Sequence, residues 1–258
     1  MKKFSPNVYE TELAKYYDVM RQYRDYDREC NFVDNLIKRN APGTKKVLDI
    51  CCGTGEHAIR MSRLGYEVTG VDQSQDMLEI AEDKAKALGP SINFICKDIF
   101  SFDVNRKFET AYCLGYTFLY MITDFEVKTF LRVVRDSLTP GGLFIVDFIN
   151  GVSLAKDFDK DEFTYHHEDT TIRQHDRWSL DSSKRVKHLD FKYEIIDSDD
   201  RVQNISAEEN LRIFYENEVK SLLSGNDFTN VESYGDYSLE RSSPDDPYIV
   251  IVTGQKGD

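Results

Sequence analysis

Val47-Leu48-Asp49-Ile50-Cys51-Cys52-Gly53-Thr54-Gly55-Glu56-His57 is the stretch that decides the fold. A short apolar run leads into a glycine turn, and a helical pattern begins at His57. Gly53 and Gly55 let the backbone bend sharply and let a ligand approach with no Cβ in the way. Directly behind the next apolar run, Glu67–Val71, stands Asp72. An acid at the end of that second strand can accept both ribose hydroxyls of an adenosine.

Working outward, strand and helix patterns alternate. Lys46–Ile50, Glu67–Val71, Ile92–Cys96, Phe108–Leu114 and Leu143–Phe148 read as strands. His57–Leu64, Gln75–Leu88 and Phe125–Leu138 read as helices, closed by Gly65, Gly89-Pro90 and Thr139-Pro140-Gly141-Gly142. Such alternation means βαβ units and a parallel sheet covered on both faces. Residues 8–40 read as two helices, with Leu13, Tyr16, Tyr17 and Met20, then Phe32, Val33, Leu36 and Ile37, at helical spacing. After residue 150 the period drifts to two, as in Lys187, Leu189, Phe191, Tyr193 and Ile195, which predicts antiparallel strands. Asn217–Leu223 reads as a helix, and Val231–Tyr237 and Tyr248–Gly254 as strands. The expected organisation is a helical lid (1–40), a Rossmann-like core (41–150), an inserted antiparallel β subdomain on the substrate side (151–215), and a C-terminal helix and strands completing the core (216–258). The fold class is α/β, with a mostly parallel seven-stranded sheet and helices on both faces.

The 258 residues carry a net charge of −13, so a nucleic-acid partner would meet a repulsive field. Five cysteines, with no CxxC, read as reduced thiols and point to a cytoplasmic protein. Met-Lys-Lys-Phe-Ser-Pro has no apolar core of a signal peptide, and no run approaches membrane-span length. Neither a membrane nor a nucleic acid is an expected partner. A small-molecule acceptor is, and a homodimer remains open.

A dinucleotide fold uses the same glycine geometry. Counted from Gly53, Ala58 occupies the third glycine position, so the looser pattern that admits alanine is met. An NAD-linked oxidoreductase therefore stays an alternative. Against it stand Asp49, placed to meet the amino group of an amino-acid moiety, and Glu56, which would repel a pyrophosphate at the helix N-terminus.

The stretch resembles motif I of the class I S-adenosylmethionine (SAM) dependent methyltransferases, D-x-G-C-G-T-G, with Cys51 where the family has its first glycine. Further matches follow in order. Gly70-Val71-Asp72-Gln73-Ser74 with Met77-Leu78 is similar to the ribose-binding motif. Cys96-Lys97-Asp98-Ile99 is similar to the adenine-binding turn. Cys113-Leu114-Gly115-Tyr116 ends the fourth strand beside the methionine part, and Leu138–Leu143 is similar to the turn before the fifth strand. The Tyr17-Asp18 and Asp25-Tyr26 segments resemble small-molecule methyltransferases, including amino-sugar N-methyltransferases, in which an N-terminal tyrosine closes over the methionine carboxylate. The resemblance implies SAM as cofactor and S-adenosylhomocysteine as product. It implies Tyr17, Tyr26, Asp49, Cys51, Gly53, Gly55, His57, Asp72, Gln73, Met77, Asp98, Ile99, Leu114 and Gly115 as the cofactor site. The implied activity is methyl transfer to nitrogen or oxygen of a small molecule.

No residue declares itself the catalyst. Candidates are Tyr116, His166 and His167; a non-catalytic SAM-binding regulator is a further alternative. Each candidate also has a structural reading. Tyr17 and Tyr26 suit helix packing, Asp98 suits a turn cap, and Asp49 suits a hydrogen bond to the loop. His166 and His167 are neighbours on a strand and face opposite ways, so no metal site is expected. Leu114-Gly115-Tyr116-Thr117 lacks the Asp- or Asn-Pro-Pro-Tyr of DNA amino methyltransferases, which argues against a flipped base.

Overall fold

The computed structural model describes residues 12–102, 107–156, 162–239 and 247–257. Residues 1–11 of the expected lid lie outside the described residues. The lid opens on a 3₁₀ turn (Glu12–Tyr16) and a single α turn, α1 (Tyr17–Met20). The first of the two expected helices is therefore much shorter than its periodicity suggests. Leu13, Tyr16 and Met20 pack against Ile172, Tyr193 and Ile195 of the inserted subdomain. Tertiary packing holds the segment, because so short a helix has no stability of its own. The second helix, α2 (Tyr26–Asn40), is capped by Asp25, whose side chain accepts the Arg28 N–H, and it buries Phe32, Val33, Leu36 and Ile37.

The core follows as β1 (Lys46–Ile50), α3 (Glu56–Arg63), β2 (Glu67–Asp72), α4 (Gln75–Leu88), β3 (Asn93–Cys96), β4 (Phe108–Cys113), α5 (Asp124–Ser137) and β5 (Leu138–Ile149). A one-turn helix, α6 (Gly151–Leu154), leads to β6 (Glu162–His167), β7 (Thr170–Asp181), β8 (Val186–Ile196) and β9 (Val202–Arg212). The chain closes with α7 (Glu216–Ser224), β10 (Phe228–Gly235) and β11 (Ile249–Lys256).

Seven strands form one sheet in the order β10-β11-β5-β4-β1-β2-β3, and β6-β7-β8-β9 form a separate antiparallel sheet. In the large sheet β11 runs antiparallel to both neighbours, and the remaining pairings are parallel. Mostly parallel core, covering helices and antiparallel insertion agree with the sequence reading. The strands are apolar on both faces because helices cover both. One core layer joins β4 and β5 to α5 and α7 through Phe130, Val134, Phe144 and Leu223; the other joins β1 to α2 and α3 through Val33, Leu36, Val47 and Met61. The order reverses between β1 and β4, which places the crevice for a ligand beyond the carboxyl ends of those strands. Among the described residues, no helix is long and apolar enough to cross a membrane.

Candidate functional site

The glycine turn after β1 is a run of left-handed residues. Cys51, Gly53 and Gly55 have φ of 58°, 53° and 77°. Cys51 thus adopts the backbone for which glycine is the easy residue, at about 1 kcal/mol or more for a side chain. A Cβ on Gly53 would project into open space, whereas one on Gly55 would stand 3.0 Å from Ala81 Cβ. Gly53 therefore lines an open cradle, and Gly55 lets α3 pack on α4.

Asp72 sits at the end of β2 facing that cradle. Its carboxylate accepts N–H groups from Gly53 (2.8 Å) and Ser74 (2.9 Å). Burial raises its pKa, with those N–H groups acting in opposition. Carboxylate oxygens carry spare lone pairs, so Asp72 can brace the loop and still accept ribose hydroxyls. Gln73 follows it, half-buried, and Met77 is buried in α4 with its N–H capped by Ser74 Oγ. Asp98 caps the 3₁₀ turn Ile99–Ser101 through Oδ1, which accepts the Phe100 N–H at 2.9 Å, and Ile99 is buried.

Asp49 is 2% exposed beneath the turn. Burial and then the charge of Asp72 raise its pKa well above the usual carboxylate range, while Tyr112 and the Ala58 N–H act the other way. Tyr112 is near enough to polarise it, yet Asp49 Oδ2 and Tyr112 Oη each lack a partner of hydrogen-bond geometry. The contact with the Ala58 N–H makes Asp49 a brace between β1 and α3.

The sequence reading missed Arg24. Its guanidinium grips Glu29 with two hydrogen bonds, Nε to Oε1 (3.0 Å) and Nη2 to Oε2 (2.6 Å), and Nη2 lies 3.8 Å from Asp147. Glu29 Oε2 also meets His57 Nε2 at 2.7 Å, and the Arg24 guanidinium stacks on Tyr26 and Tyr116. Asp147 accepts the N–H groups of Gly115 and Tyr116 and the Tyr237 hydroxyl. Burial works against the Arg24 charge, but Asp147, Tyr237 and Glu29 outweigh it and hold the guanidinium protonated. Burial likewise opposes the Glu29 charge, and hydrogen bonds from His57 and Arg24 keep its carboxyl below the usual range. A Cβ on Gly115 would lie 3.1 Å from Arg24 Nη1, which makes no hydrogen bond among the described residues. Nη1 is thus an unpaired cationic donor at the end of β4, on a side chain only 4% exposed, and is suited to a carboxylate. Arg24 was invisible in the sequence because no local pattern separates it from Arg21 and Arg28 around it. His57 and Tyr26 belong to this network and pack edge to face, with centroids 5.1 Å apart.

The lid is tied to the glycine turn by charge. Thr54 Oγ1 donates to Asp18 Oδ1 (2.6 Å), and Lys84 bridges Asp18 (2.7 Å) and Glu56 (2.5 Å). Glu56 also pairs with Arg60. These contacts bring Tyr17 to the edge of a cavity of about 550 Å³ that runs from Gly115 and Tyr116 to the face of the antiparallel sheet. Phe163, Gln174, Asp176, Phe191, Tyr193 and Glu209 line the far side. Leu114, the neighbour of Gly115 in the chain, is buried.

Of the three catalytic candidates, Tyr116 lines this cavity, and His166 and His167 do not. His166 pairs with Thr171, so it faces away from the side carrying Phe163 and Tyr165, and its Nδ1 meets Thr171 Oγ1 at 3.2 Å. His167 is exposed with its ring against Tyr16. The physical reason is strand alternation: one histidine faces outward and the other reaches only the rim. Among the described residues no group of His, Cys, Asp and Glu could hold a metal ion.

The left-handed cradle, the acid at the end of β2, the unpaired Arg24 Nη1 and the buried Asp49 oxygen fit a nucleoside that carries an amino-acid tail. Residues 47–142 match the family model described as a methyltransferase domain. The chain is 30% identical over 143 residues to dTDP-4-amino-2,3,4,6-tetradeoxy-D-glucose N,N-dimethyltransferase of Saccharopolyspora spinosa, covering 55% of this chain and 56% of that one. It is 26% identical over 246 residues to glycine/sarcosine N-methyltransferase of Aphanothece halophytica, covering 95% and 88%. The matches span 56% to 64% of the length of the first curated relatives. In fold the chain is similar to an S-adenosylmethionine-dependent methyltransferase from Clostridium acetobutylicum, with a TM-score of 0.81 and 22% identity over 96% of this chain and 98% of that one.

Proposed function

We propose that this chain is a SAM-dependent methyltransferase acting on a nitrogen atom of a small molecule. The observation that carries the reading is the cavity that starts at Gly115 and Tyr116, where the cradle for a nucleoside amino acid ends. Relatives that methylate nitrogen, on an amino sugar and on glycine or sarcosine, support nitrogen over oxygen.

The cofactor supplies an electrophilic methyl group on a positively charged sulfur. The protein's own part is binding and orientation. Asp72 accepts the ribose hydroxyls while holding the Gly53 and Ser74 N–H groups. Asp98 and Ile99 form the adenine turn. Arg24 Nη1 takes the carboxylate, with Tyr17 closing from the lid. Asp147 fixes the Gly115 and Tyr116 N–H groups and so sets the floor where the acceptor nitrogen must stand. Positioning of this kind can supply much of a rate enhancement in a displacement along one line. Burial raises the Tyr17 and Tyr116 phenol pKa values, so both rings remain neutral hydrogen-bonding groups at neutral pH.

Glu56, fixed in the first turn of α3 by Lys84 and Arg60, argues against a dinucleotide diphosphate there. Titration calorimetry with SAM, S-adenosylhomocysteine and NADH tests the cofactor. SAM and S-adenosylhomocysteine are expected to bind and NADH not to. No binding of either SAM or its product at high micromolar concentration would overturn the reading. Mass spectrometry across a panel of amines and alcohols tests the reaction. Methylation confined to oxygen would overturn the choice of nitrogen, and binding without any transfer would leave a SAM-binding regulator.

A further inference from the structure

The cavity wall facing the lid carries two carboxylates in an aromatic setting. The small antiparallel sheet turns Gln174 and Asp176 of β7, Phe191 and Tyr193 of β8, and Glu209 of β9 onto one face. Asp176 stands opposite Phe191, which stands opposite Ala207; Glu209 is one row along, opposite Leu189. Glu209 is 6% exposed and Gln174 9%. Gln174 Nε2 donates to both oxygens of Asp176, at 2.8 and 2.9 Å, and so fixes that carboxylate in the wall. The other lining is largely aromatic, including Tyr17, Tyr116, Phe163 and Tyr165. Among the described lining residues the charged groups are Arg21, Asp176 and Glu209.

Two partly desolvated carboxylates on one wall, with tyrosine and phenylalanine faces around them, suit an organic cation. The carboxylates offer charge-assisted hydrogen bonds, and the rings offer their negative faces. A nucleoside-diphosphate group would instead bring two or more negative charges against that wall, with Arg21 as the cation to meet them. From this geometry we infer that the cavity binds a free organic amine as its ammonium cation, held by Asp176 and Glu209, and not an acceptor linked to a nucleoside diphosphate. The inference rests on the methyltransferase reading only in treating this ligand as the methyl acceptor, in which case the ammonium first gives a proton to the Asp176 carboxylate, and the freed lone pair forms the N–C bond as the S–C bond of the cofactor breaks; the binding itself stands apart from it.

The site has its own pH signature. Burial and then the charge of Glu209 raise the Asp176 pKa to about 6, with Gln174, Arg21 and His175 acting the other way. The groups interacting electrostatically with Asp176 are Arg21 of the lid, Tyr165 of β6, His175 of β7, Tyr193 of β8 and Glu209 of β9. Amine affinity should therefore fall as pH drops through that range, because Asp176 becomes neutral while the amine stays charged.

The test is calorimetry on the full chain without cofactor, using 2-phenylethylamine, its neutral counterpart 2-phenylethanol, and thymidine diphosphate as probes. The amine should bind at least tenfold tighter than the alcohol at pH 8. Its affinity should fall severalfold between pH 8 and pH 5 while that of the alcohol holds, a measurement on the unaltered protein. Asp176→Asn and Glu209→Gln should each erase most of the preference, in proteins whose SAM affinity is unchanged. Equal binding of amine and alcohol, tighter binding of thymidine diphosphate, or a pH-independent preference would overturn the inference. SAM binding with no amine preference sinks the inference alone. Amine preference without SAM binding sinks the cofactor reading alone.

Discussion

Arg24→Met is the sharpest test of the buried network under the site. Methionine keeps an unbranched stem and removes the guanidinium, with its charge and its two hydrogen bonds to Glu29. Arg24 and Glu29 have side chains 4% and 6% exposed, and Asp147 is fully buried. Removing the cation leaves Glu29 and Asp147 as buried carboxylates without their main counter-charge. Breaking such a pair from one side costs about 3–5 kcal/mol. His57 remains on Glu29, and three donors remain on Asp147, so about 3 kcal/mol is the expected loss at pH 8. The sign with pH follows from Glu29. In the native protein its pKa is depressed, so its contribution is present above the unfolded value near 4.5 and is lost as pH falls below it. In the variant the hydrogen bond and charge of Arg24 no longer oppose burial, the His57 hydrogen bond still does, and the folded pKa rises above its native value. The variant's penalty is then relieved as pH falls from 8 towards 5, and the gap to the native protein narrows. Urea unfolding followed by circular dichroism at pH 8 and pH 5 measures both numbers. Adding Glu29→Gln should recover about 1–2 kcal/mol at pH 8. A loss under about 1 kcal/mol, or a gap that widens towards pH 5, would refute the reasoning. SAM affinity should fall as well, by about 10- to 100-fold, the worth of one charge-assisted hydrogen bond to a carboxylate.

Two more outcomes follow from the cradle. Asp72→Asn should weaken SAM about 10- to 100-fold and also cost about 1 kcal/mol of stability, since an amide cannot accept both the Gly53 and Ser74 N–H groups. Titration calorimetry and urea unfolding separate the two effects, and full affinity in a weakened fold would make Asp72 structural only. Cys51→Gly should leave stability within about 0.5 kcal/mol or raise it, while Cys51→Val should cost about 2 kcal/mol or more. Equal melting temperatures for these two variants would mean that the turn does not hold Cys51 left-handed.

Much of this molecule was legible from local pattern. The stretch around Gly53 and Gly55, the alternation of strands and helices, and the period of two from Lys187 to Ile195 gave both sheets, because apolar spacing reports which faces are buried. Asp72 was legible because its place is set by a strand end, a local event. The lid was legible only in part: Leu13, Tyr16 and Met20 show helical spacing, but their order comes from packing on Ile172 and Tyr193, far along the chain. Tertiary structure alone decided four things. It turned Asp49 inward onto the Ala58 N–H, it set the His167 ring against Tyr16 of the lid, and it gathered Arg24, Glu29, His57 and Asp147 beneath Gly115 from the loop before α2, from α2, from α3 and from β5. It also set Asp176 beside Glu209, which lie two strands apart on one face. Charges that are solvated in sequence context become functional only when distant segments desolvate them together, and that juxtaposition has no local signature.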